Sequence, residues 1–516
     1  MTLLLPRRGV LRAGFAIPGL AIPGLAVPGL ALLGHVPARA AEHPFALGVA
    51  SGEPEADKVV LWTRLATRWQ GGGITDDAVP VEWVVARDEA LRDVVRRGRA
   101  IAVAADAHSV HAEVSGLDPD QPYWYRFTAM GAGSDIARTR TAPAPGTMPA
   151  RLRFAVASCQ QYEQGYYAAY RHMLAENPDL VVFLGDYIYE ASWGRNLVRS
   201  HEGPSARDLA GYRDRYALYK TDPDLQAMHR ACPWLVTWDD HEVSNDYAAD
   251  RGEMEEGEAF LARRAAAYKA FWEHMPLPAS ARPVGASARI YRRAGFGDLA
   301  GFHILDDRQY RAHQACQRPG RGGGGYVARE ACAELDDPAR SMLGTAQEAW
   351  LRDGLGAARA RWTILAQQTR MARLGTQRTP VTYWTDGWDG YPAARARLLE
   401  ALGRAPNPLV IGGDIHANLV AELRPDFDRP ETPAVAVEFT GTSITSQGRQ
   451  YRETYPAESH IAYANGSARG YVMMTLTPRT ATAELRTIGD PRDRDTGIAT
   501  QRRFVVEAGR AAIMAG

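Results

Sequence analysis

Hydrophobic and polar positions follow two textures along the chain. Between Phe45 and about Thr141 the apolar residues come in short runs broken by turns, at 59–65, 81–86, 100–104, 110–114 and 123–129, with no long amphipathic helix among them. Within 117–127 a turn carrying Asp118, Pro119 and Pro122 leads into Tyr123, Tyr125 and Phe127, the alternation of a half-buried strand. Short strands with such turns predict a fibronectin-like or immunoglobulin-like β-sandwich. Pro143, Pro145, Gly146 and Pro149 then make a linker, so the expected domains are 43–148 and 149–516.

Past the linker, apolar runs at 154–157, 180–184, 234–238 and 409–411 each end at a polar cluster. A run that is apolar throughout is a strand covered on both faces. Helical stretches alternate with these runs: Leu261, Ala265, Tyr268, Trp272 and Met275 keep helical spacing, and a second helix is expected over 350–360. The expected class is α/β, in which the chemistry lies just beyond the carboxyl ends of strands.

The first forty residues are a different kind of segment. Arg7-Arg8 precedes an uncharged apolar run, 14–34, broken by three Pro-Gly pairs, and Ala38-Arg39-Ala40 presents small residues for cleavage. Those Pro-Gly pairs argue against a membrane-spanning helix. The arginine pair resembles a twin-arginine signal, so residues 1–40 are expected to direct export to the periplasm or the exterior through the twin-arginine machinery, and to be removed. An ordinary secretory signal with a chance arginine pair is the alternative.

Composition narrows the function classes. Of 516 residues, 46% are hydrophobic and 23% charged, which fits a globular chain of about two or three domains and excludes disorder and coiled coil. Lys+Arg and Asp+Glu are 60 each, and loss of Arg7, Arg8, Arg12 and Arg39 leaves a net charge of −4, so no nucleic-acid-binding surface is expected. Four cysteines are too few for a disulfide framework. Cys316 and Cys332 flank a Gly-rich stretch, and in an exported chain a bridge there is favoured over two free thiols, contributing about 3 kcal/mol. Cys232 reads as a buried small hydrophobe. Glycines 322–325 lack a following Lys-Ser/Thr, so they are expected to form a flexible loop and not a phosphate-cradling one.

Chemistry gathers where the apolar runs end. Those ends read Ser158-Cys159-Gln160, Gly185-Asp186-Tyr187-Ile188-Tyr189, Asp239-Asp240-His241-Glu242 and Gly413-Asp414-Ile415-His416. Taken singly, Asp186 reads as a helix cap, His241 as a core histidine, Tyr189 as a packed aromatic and Cys159 as an inert buried thiol. Four such ends together carry more weight, because neighbouring carboxylates repel unless cations neutralise them. The set predicts a dinuclear centre: thiolate, phenolate and imidazole for a trivalent or borderline transition metal, and mainly oxygen for a harder ion such as calcium or magnesium.

The order Gly-Asp-x-x-Tyr, Asp-Asp-His-Glu, Gly-Asp-x-His resembles the calcineurin-like and purple-acid-phosphatase metallophosphoesterases. Three further segments, Leu305-Asp306-Asp307-Arg308-Gln309-Tyr310-Arg311, Trp388-Asp389-Gly390-Tyr391 and the Ser158-Cys159-Gln160 start, narrow this to a resemblance to the PhoD-type alkaline phosphatases over nearly the whole mature chain. The resemblance implies a four-layer αββα core, a monomer, and a centre of Fe3+ and Ca2+. It implies Cys159, Asp186, Tyr189 and His416 on the ferric ion. Asp186 would bridge to the second ion, joined by Asp240 or Asn245 and by Asp414. His241 would face the leaving oxygen or transferred phosphoryl group, with Arg308 neutralising charge nearby. Cys159 and Asp414 stand where the wider superfamily has Asp and His, which disfavours a di-zinc or di-manganese centre.

The expected activity is metal-dependent hydrolysis of phosphate esters. Two cations neutralise the ester and acidify water, and no motif places a serine or threonine nucleophile, so attack by a metal-bound hydroxide or oxide is expected. Monoesters and diesters fit equally. A phospholipase- or polymer-directed phosphodiesterase, its specificity in 192–208 and 373–388, is a rival within the enzymes. The rival outside them is a non-catalytic surface-binding protein with structural metals.

Overall fold

The apolar runs are strands whose side chains divide between two cores. In the computed structural model, which describes residues 43–68, 72–376, 379–448 and 458–515, Val181 and Phe183 enter one core while Leu180, Val182 and Leu184 enter another. The expected export signal, 1–40, lies outside the described residues. Leu152–Ala157 divides as Leu180–Phe183 does, with Ala155 and Ala157 on one side and Phe154 and Val156 on the other. Covered on both faces, such strands need no polar residue until they end.

Leu152–Ala157, Leu180–Phe183 and Trp234–Val236 pair in parallel within a ten-stranded sheet, so their carboxyl ends share one edge. A seven-stranded sheet sets Ala300–Ile304, Trp362–Ala366, Pro408–Gly412 and Ala436–Thr440 side by side, also in parallel. One core lies between the sheets, with Phe154, Val156 and Val182 meeting Phe302, Ile364 and Phe439. Helices cover the other face of the ten-stranded sheet, Leu209–Lys220 through Tyr216 and Gly257–His274 through Phe271. Gly344–Ala357 and Pro392–Leu402 cover the seven-stranded sheet through Leu351 and Leu399. At about 1.5–3 kcal/mol per fully buried large apolar side chain, these cores dominate the stability. The class is α/β.

Two expectations on helices differ in their ends. Met275 lies just beyond Gly257–His274, and the helix expected over 350–360 runs instead from Gly344 to Ala357. Ser341 Oγ accepts from the Gly344 amide at 2.7 Å and starts this helix in a turn that has no apolar period to read.

All five strands expected before residue 141 form, as Lys58–Arg64, Ala78–Ala86, Val94–Val103, Ser109–Ser115 and Pro122–Ala129. They do not stand apart from the rest of the chain. Val49–Gly52, Lys58–Arg64 and Ser109–Ser115 prolong the ten-stranded sheet, because Gly52 pairs in parallel with Trp234. A Cβ at Gly52 would come within 2.5 Å of the Pro276 carbonyl oxygen, so the join requires glycine. The other strands form a five-stranded sheet that packs on these three through Val59, Leu61, Val81, Val85, Tyr125 and Phe127. Residues His43–Gly516 make one compact unit.

Candidate metal centre

Sharp turns at the strand ends aim the side chains. Cys159, Asp186, Asp414 and His416 have φ of 58°, 57°, 64° and 53°, a left-handed region that costs non-glycine residues about 1–3 kcal/mol and persists only where the surroundings enforce it. The Cys159 amide donates to the Gly185 carbonyl at 3.1 Å and the Gln160 amide to the Asp186 carbonyl at 3.0 Å, tying the first strand end to the second. Glu242 ties the second to the third: its buried carboxylate accepts from the amides of Asp186 at 3.0 Å, Tyr187 at 2.6 Å and Asp239 at 2.8 Å. Burial, then Asp186 beside it, pushes Glu242 up to about 8 against the pull of those amides.

An inner group forms where the two sheets meet. Cys159, Asp186 and His416 offer a sulfur, a carboxylate oxygen and a ring nitrogen within 4.8 Å of one another. The Tyr189 hydroxyl donates to Asp186 Oδ2 at 2.7 Å and lies 3.1 Å from His416 Nε2. His416 Nδ1 donates to the Gln447 carbonyl at 2.8 Å, so Nε2 carries the lone pair. In the neutral ring no proton is then left between Nε2 and the Tyr189 oxygen, and among the described residues Asp186 Oδ1 is buried without a partner. Facing lone pairs and an orphaned carboxylate oxygen suit a cation. Burial, followed by Asp186, drives both Cys159 and Tyr189 well above their ordinary values, so each keeps its proton until a cation displaces it.

An outer group adjoins it. Asp239, Asp240 and Asp414 bring carboxylate oxygens within 4.8 Å of one another, and His241 brings a ring nitrogen equally near to oxygens of Asp186 and Asp240. Beneath them lies Arg308, fully buried, with Nε on Asp239, Nη1 on Asp386 at 2.8 Å, and Nη2 3.8 Å from Asp240 and 3.9 Å from Asp414. Burial lifts Asp239 well above the carboxylate range, Asp240 and Asp414 adding to it against Arg308. Burial also raises Asp414 to about 6, with Arg308 opposing and Asp240 assisting. Burial works the same way on Asp240, yet Arg308 and His241 hold it below the usual range. One guanidinium leaves anionic excess here, and the carboxylate oxygens fit a hard cation.

Both groups open into a cavity of about 1400 Å³ walled by Asp186, Asp240, His241, Asn245, Asp414 and His416. His241 Nδ1 lies 2.7 Å from Glu190 Oε2; burial lowers its pKa, but Glu190, Asp240 and Asp186 carry it well above the ordinary value. Trp193 and Arg195 line the cavity from 192–208, and Leu374, Thr376 and Trp384 from 373–388. Cys316 and Cys332 are bridged, while Cys159 and Cys232 are free and buried. The glycines expected to form a flexible loop are instead a packed wall. The Gly322 amide donates to the Glu253 carbonyl at 2.9 Å, the Gly324 amide to Asp246 at 3.0 Å, and a Cβ at Gly322 would lie 2.3 Å from the Gly252 oxygen. Sequence reasoning gave no role to Glu190, Glu242, Asp386, Thr369 or Ser446. The first two adjoin or close recognised motifs, which is the signal they offered; the other three lie in loops without one.

A family model of the PhoD-like phosphatases matches residues 154–485, and one of that family's N-terminal domain matches 31–143. The chain belongs to the PhoD-like phosphatase family. Alkaline phosphatase D of Bacillus subtilis (strain 168) is 43% identical to it over 486 residues, spanning 90% of this chain and 81% of that protein. The solved structure of PhoD matches with a TM-score of 0.86 at 41% identity, covering 95% of this chain and 93% of that one. This PhoD-like phosphatase is thus a phosphoesterase of the alkaline phosphatase type, which leaves no place for the non-catalytic reading. No helix among the described residues is long and apolar enough to cross a membrane.

Proposed function

We propose that this PhoD-like phosphatase is exported and hydrolyses phosphate esters at a mixed iron and calcium centre. Cys159, Asp186, Tyr189 and His416 would hold Fe3+, and Asp414 with Asp240 or Asn245 would hold Ca2+, Asp186 being shared. The observation that carries this reading is the division of donors, with sulfur, phenol and imidazole on one side of Asp186 and carboxylates on the other.

When bound, such cations neutralise the ester's charge and lower the pKa of water. His241, with Nδ1 on Glu190 at 2.7 Å, has Nε2 left to hold a proton for the leaving oxygen or a phosphoryl oxygen. Arg308 acts from below, fixing Asp239 and offsetting Asp240 and Asp414 without entering the cavity wall. A cavity of about 1400 Å³ is far larger than a phosphoryl group requires, which favours a bulky alcohol and supports polymer- or lipid-directed phosphodiester cleavage as a second reading.

The succession of helices, sheet, sheet and helices supports a four-layer αββα core, with residues 43–148 as a fibronectin-like module and 149–516 as the catalytic domain. Arg7-Arg8 and Ala38-Arg39-Ala40 support twin-arginine export to the periplasm or exterior. Metal analysis and visible spectroscopy on the active enzyme, with turnover of a monoester and a diester, test the reading. Iron, calcium, a visible band from thiolate and phenolate donors and hydrolysis of ester are expected; stoichiometric zinc in a colourless active enzyme would sink the iron assignment.

A further inference from the structure

Asn245 presents a choice that its surroundings make for it. An asparagine side chain offers an NH2 donor on one side and a carbonyl oxygen on the other, and only the oxygen can ligate a hard cation. Asn245 Nδ2 donates to Glu253 Oε1 at 2.9 Å. An ionised carboxylate only accepts, so the amide nitrogen must face Glu253 and Oδ1 must face the other way. Among the described residues no hydrogen bond takes up Oδ1, and Asn245 shares the cavity wall with Asp186 and Asp240. Its backbone amide is fixed separately, by Glu190 Oε1 at 2.9 Å.

Glu253 is itself held from the far side. Arg321 Nη2 donates to Glu253 Oε2 at 2.8 Å, and the Gly322 amide donates to the Glu253 carbonyl at 2.9 Å. Two residues on, the Gly324 amide binds Asp246 Oδ2 at 3.0 Å, and the Asp246 amide binds Asp240 Oδ2 at 2.6 Å. All three donors of this loop lie inside the segment closed by the Cys316–Cys332 disulfide. We infer that Glu253 is a positioning residue that turns the carbonyl oxygen of Asn245 toward the calcium side of the centre, and that the disulfide-closed loop 316–332 holds Glu253 in place through Arg321 and Gly322. The inference rests on the proposed calcium site and extends it to residues that ligate no metal.

A double-variant cycle read by calcium binding tests it. Enzyme stripped of calcium by a selective chelator, iron retained, is titrated with calcium in a calorimeter, and kcat and KM are measured at saturating calcium. Glu253→Ala should weaken calcium binding about tenfold, the usual effect of losing the partner behind a ligand. In an Asn245→Ala background the same substitution should cost nothing further, because its effect passes through Asn245. Glu253→Gln, whose side-chain oxygen still accepts from Nδ2, should recover most of the affinity. Arg321→Ala should show a smaller calcium shift, absent in the Asn245→Ala background, and carries the cycle if Glu253→Ala does not fold; the Cys316→Ser/Cys332→Ser pair should also shift calcium binding, and part of that shift should survive in the Asn245→Ala background because the loop reaches Asp240 through Gly324 and Asp246. Glu256→Gln, on the same loop but exposed and paired with Arg251, should match wild type. Undiminished calcium affinity in Glu253→Ala, or an equal loss with and without Asn245, overturns the positioning role. Undiminished affinity in Asn245→Ala overturns the ligand assignment beneath it, so the two failures are told apart.

Discussion

Cys159, Asp186, Tyr189 and His416 are held by hydroxyl and imidazole hydrogen bonds, whereas Asp239, Asp240 and Asp414 crowd around the guanidinium of Arg308. Both groups are mostly closed to solvent, the more open members being His416 at 15% and Asp414 at 21%, so exposure does not separate them. An empty inner group can stay close to neutral, since its thiol and phenol keep their protons. An empty outer group cannot, and depends on its arginine. The difference separates a half built for ligand identity from a half built on charge balance.

Asp186 belongs to both halves, so its loss should erase the distinction. Asp186→Asn is expected to lower kcat/KM on the order of 10³-fold or more and to release both iron and calcium, as read by metal analysis of the purified variant. Iron retained at full occupancy would show that the halves are assembled independently.

Next in size is Arg308→Ala, which strands Asp239 as a buried carboxyl without its cationic partner, while Asp386 keeps Arg311 and Gln314. A cost of about 3–5 kcal/mol is expected, visible as a lower denaturation midpoint. The matching change in the inner half, Tyr189→Phe, removes the hydrogen bond from the phenol to the Asp186 carboxylate and should cost less, about 1.5–3 kcal/mol, while abolishing the phenolate part of the visible band. Equal destabilisation by the two variants would contradict the contrast between charge balance and ligand identity.

The two halves were also unequally legible in the sequence. Each inner residue stands within five residues of the end of an apolar run, and parallel strands bring such ends to one edge, so ligand candidates could be named before their geometry was seen. Arg308 could be named from its motif, but its partners lie 69 and 78 residues away, a distance over which spacing says nothing. Glu242 was in view and its work was not, because accepting three backbone amides is a property of a folded corner. The same limit applies to the amino-terminal strands. Their alternation was readable one by one, yet the fusion of three of them with the catalytic sheet turns on the pairing of Gly52 with Trp234.

Stripping both metals should expose the charge imbalance through pH. Asp414 is raised to about 6 and Glu242 to about 8, from ordinary values of 3.8 and 4.5. A carboxyl with a raised folded pKa binds its proton more tightly in the folded state, so its contribution favours folding at low pH and is lost as pH rises through the folded value. His241, also raised, acts in the same sense, and Asp240, held low, matters only below about pH 4. The stripped enzyme should therefore melt at a lower temperature at pH 8 than at pH 5.5, and the loaded enzyme should not show this loss. Identical melting profiles for the two forms would mean that the carboxylates are balanced without cations.

The smallest effects give the most selective test, because one hydroxyl stands behind each half. Ser446 Oγ lies 2.8 Å from the Tyr189 oxygen and 2.7 Å from the Cys159 carbonyl, and its single proton should turn to Tyr189 once that oxygen is ionised, an anion being the stronger acceptor. Thr369 Oγ1 donates to Asp414 Oδ2 at 2.7 Å. Ser446→Ala removes a donor from the phenolate, leaves it richer in electron density, and should move the visible band to longer wavelength without changing the calcium needed for half-maximal activity. Thr369→Val keeps the volume, removes the donor from Asp414, and should raise that calcium requirement by at most about tenfold without moving the band. Each should cost about 1 kcal/mol of stability, so neither result can be ascribed to unfolding. A band shift in Thr369→Val, or a changed calcium requirement in Ser446→Ala, would show that Asp186 couples the halves too tightly for them to be tuned apart.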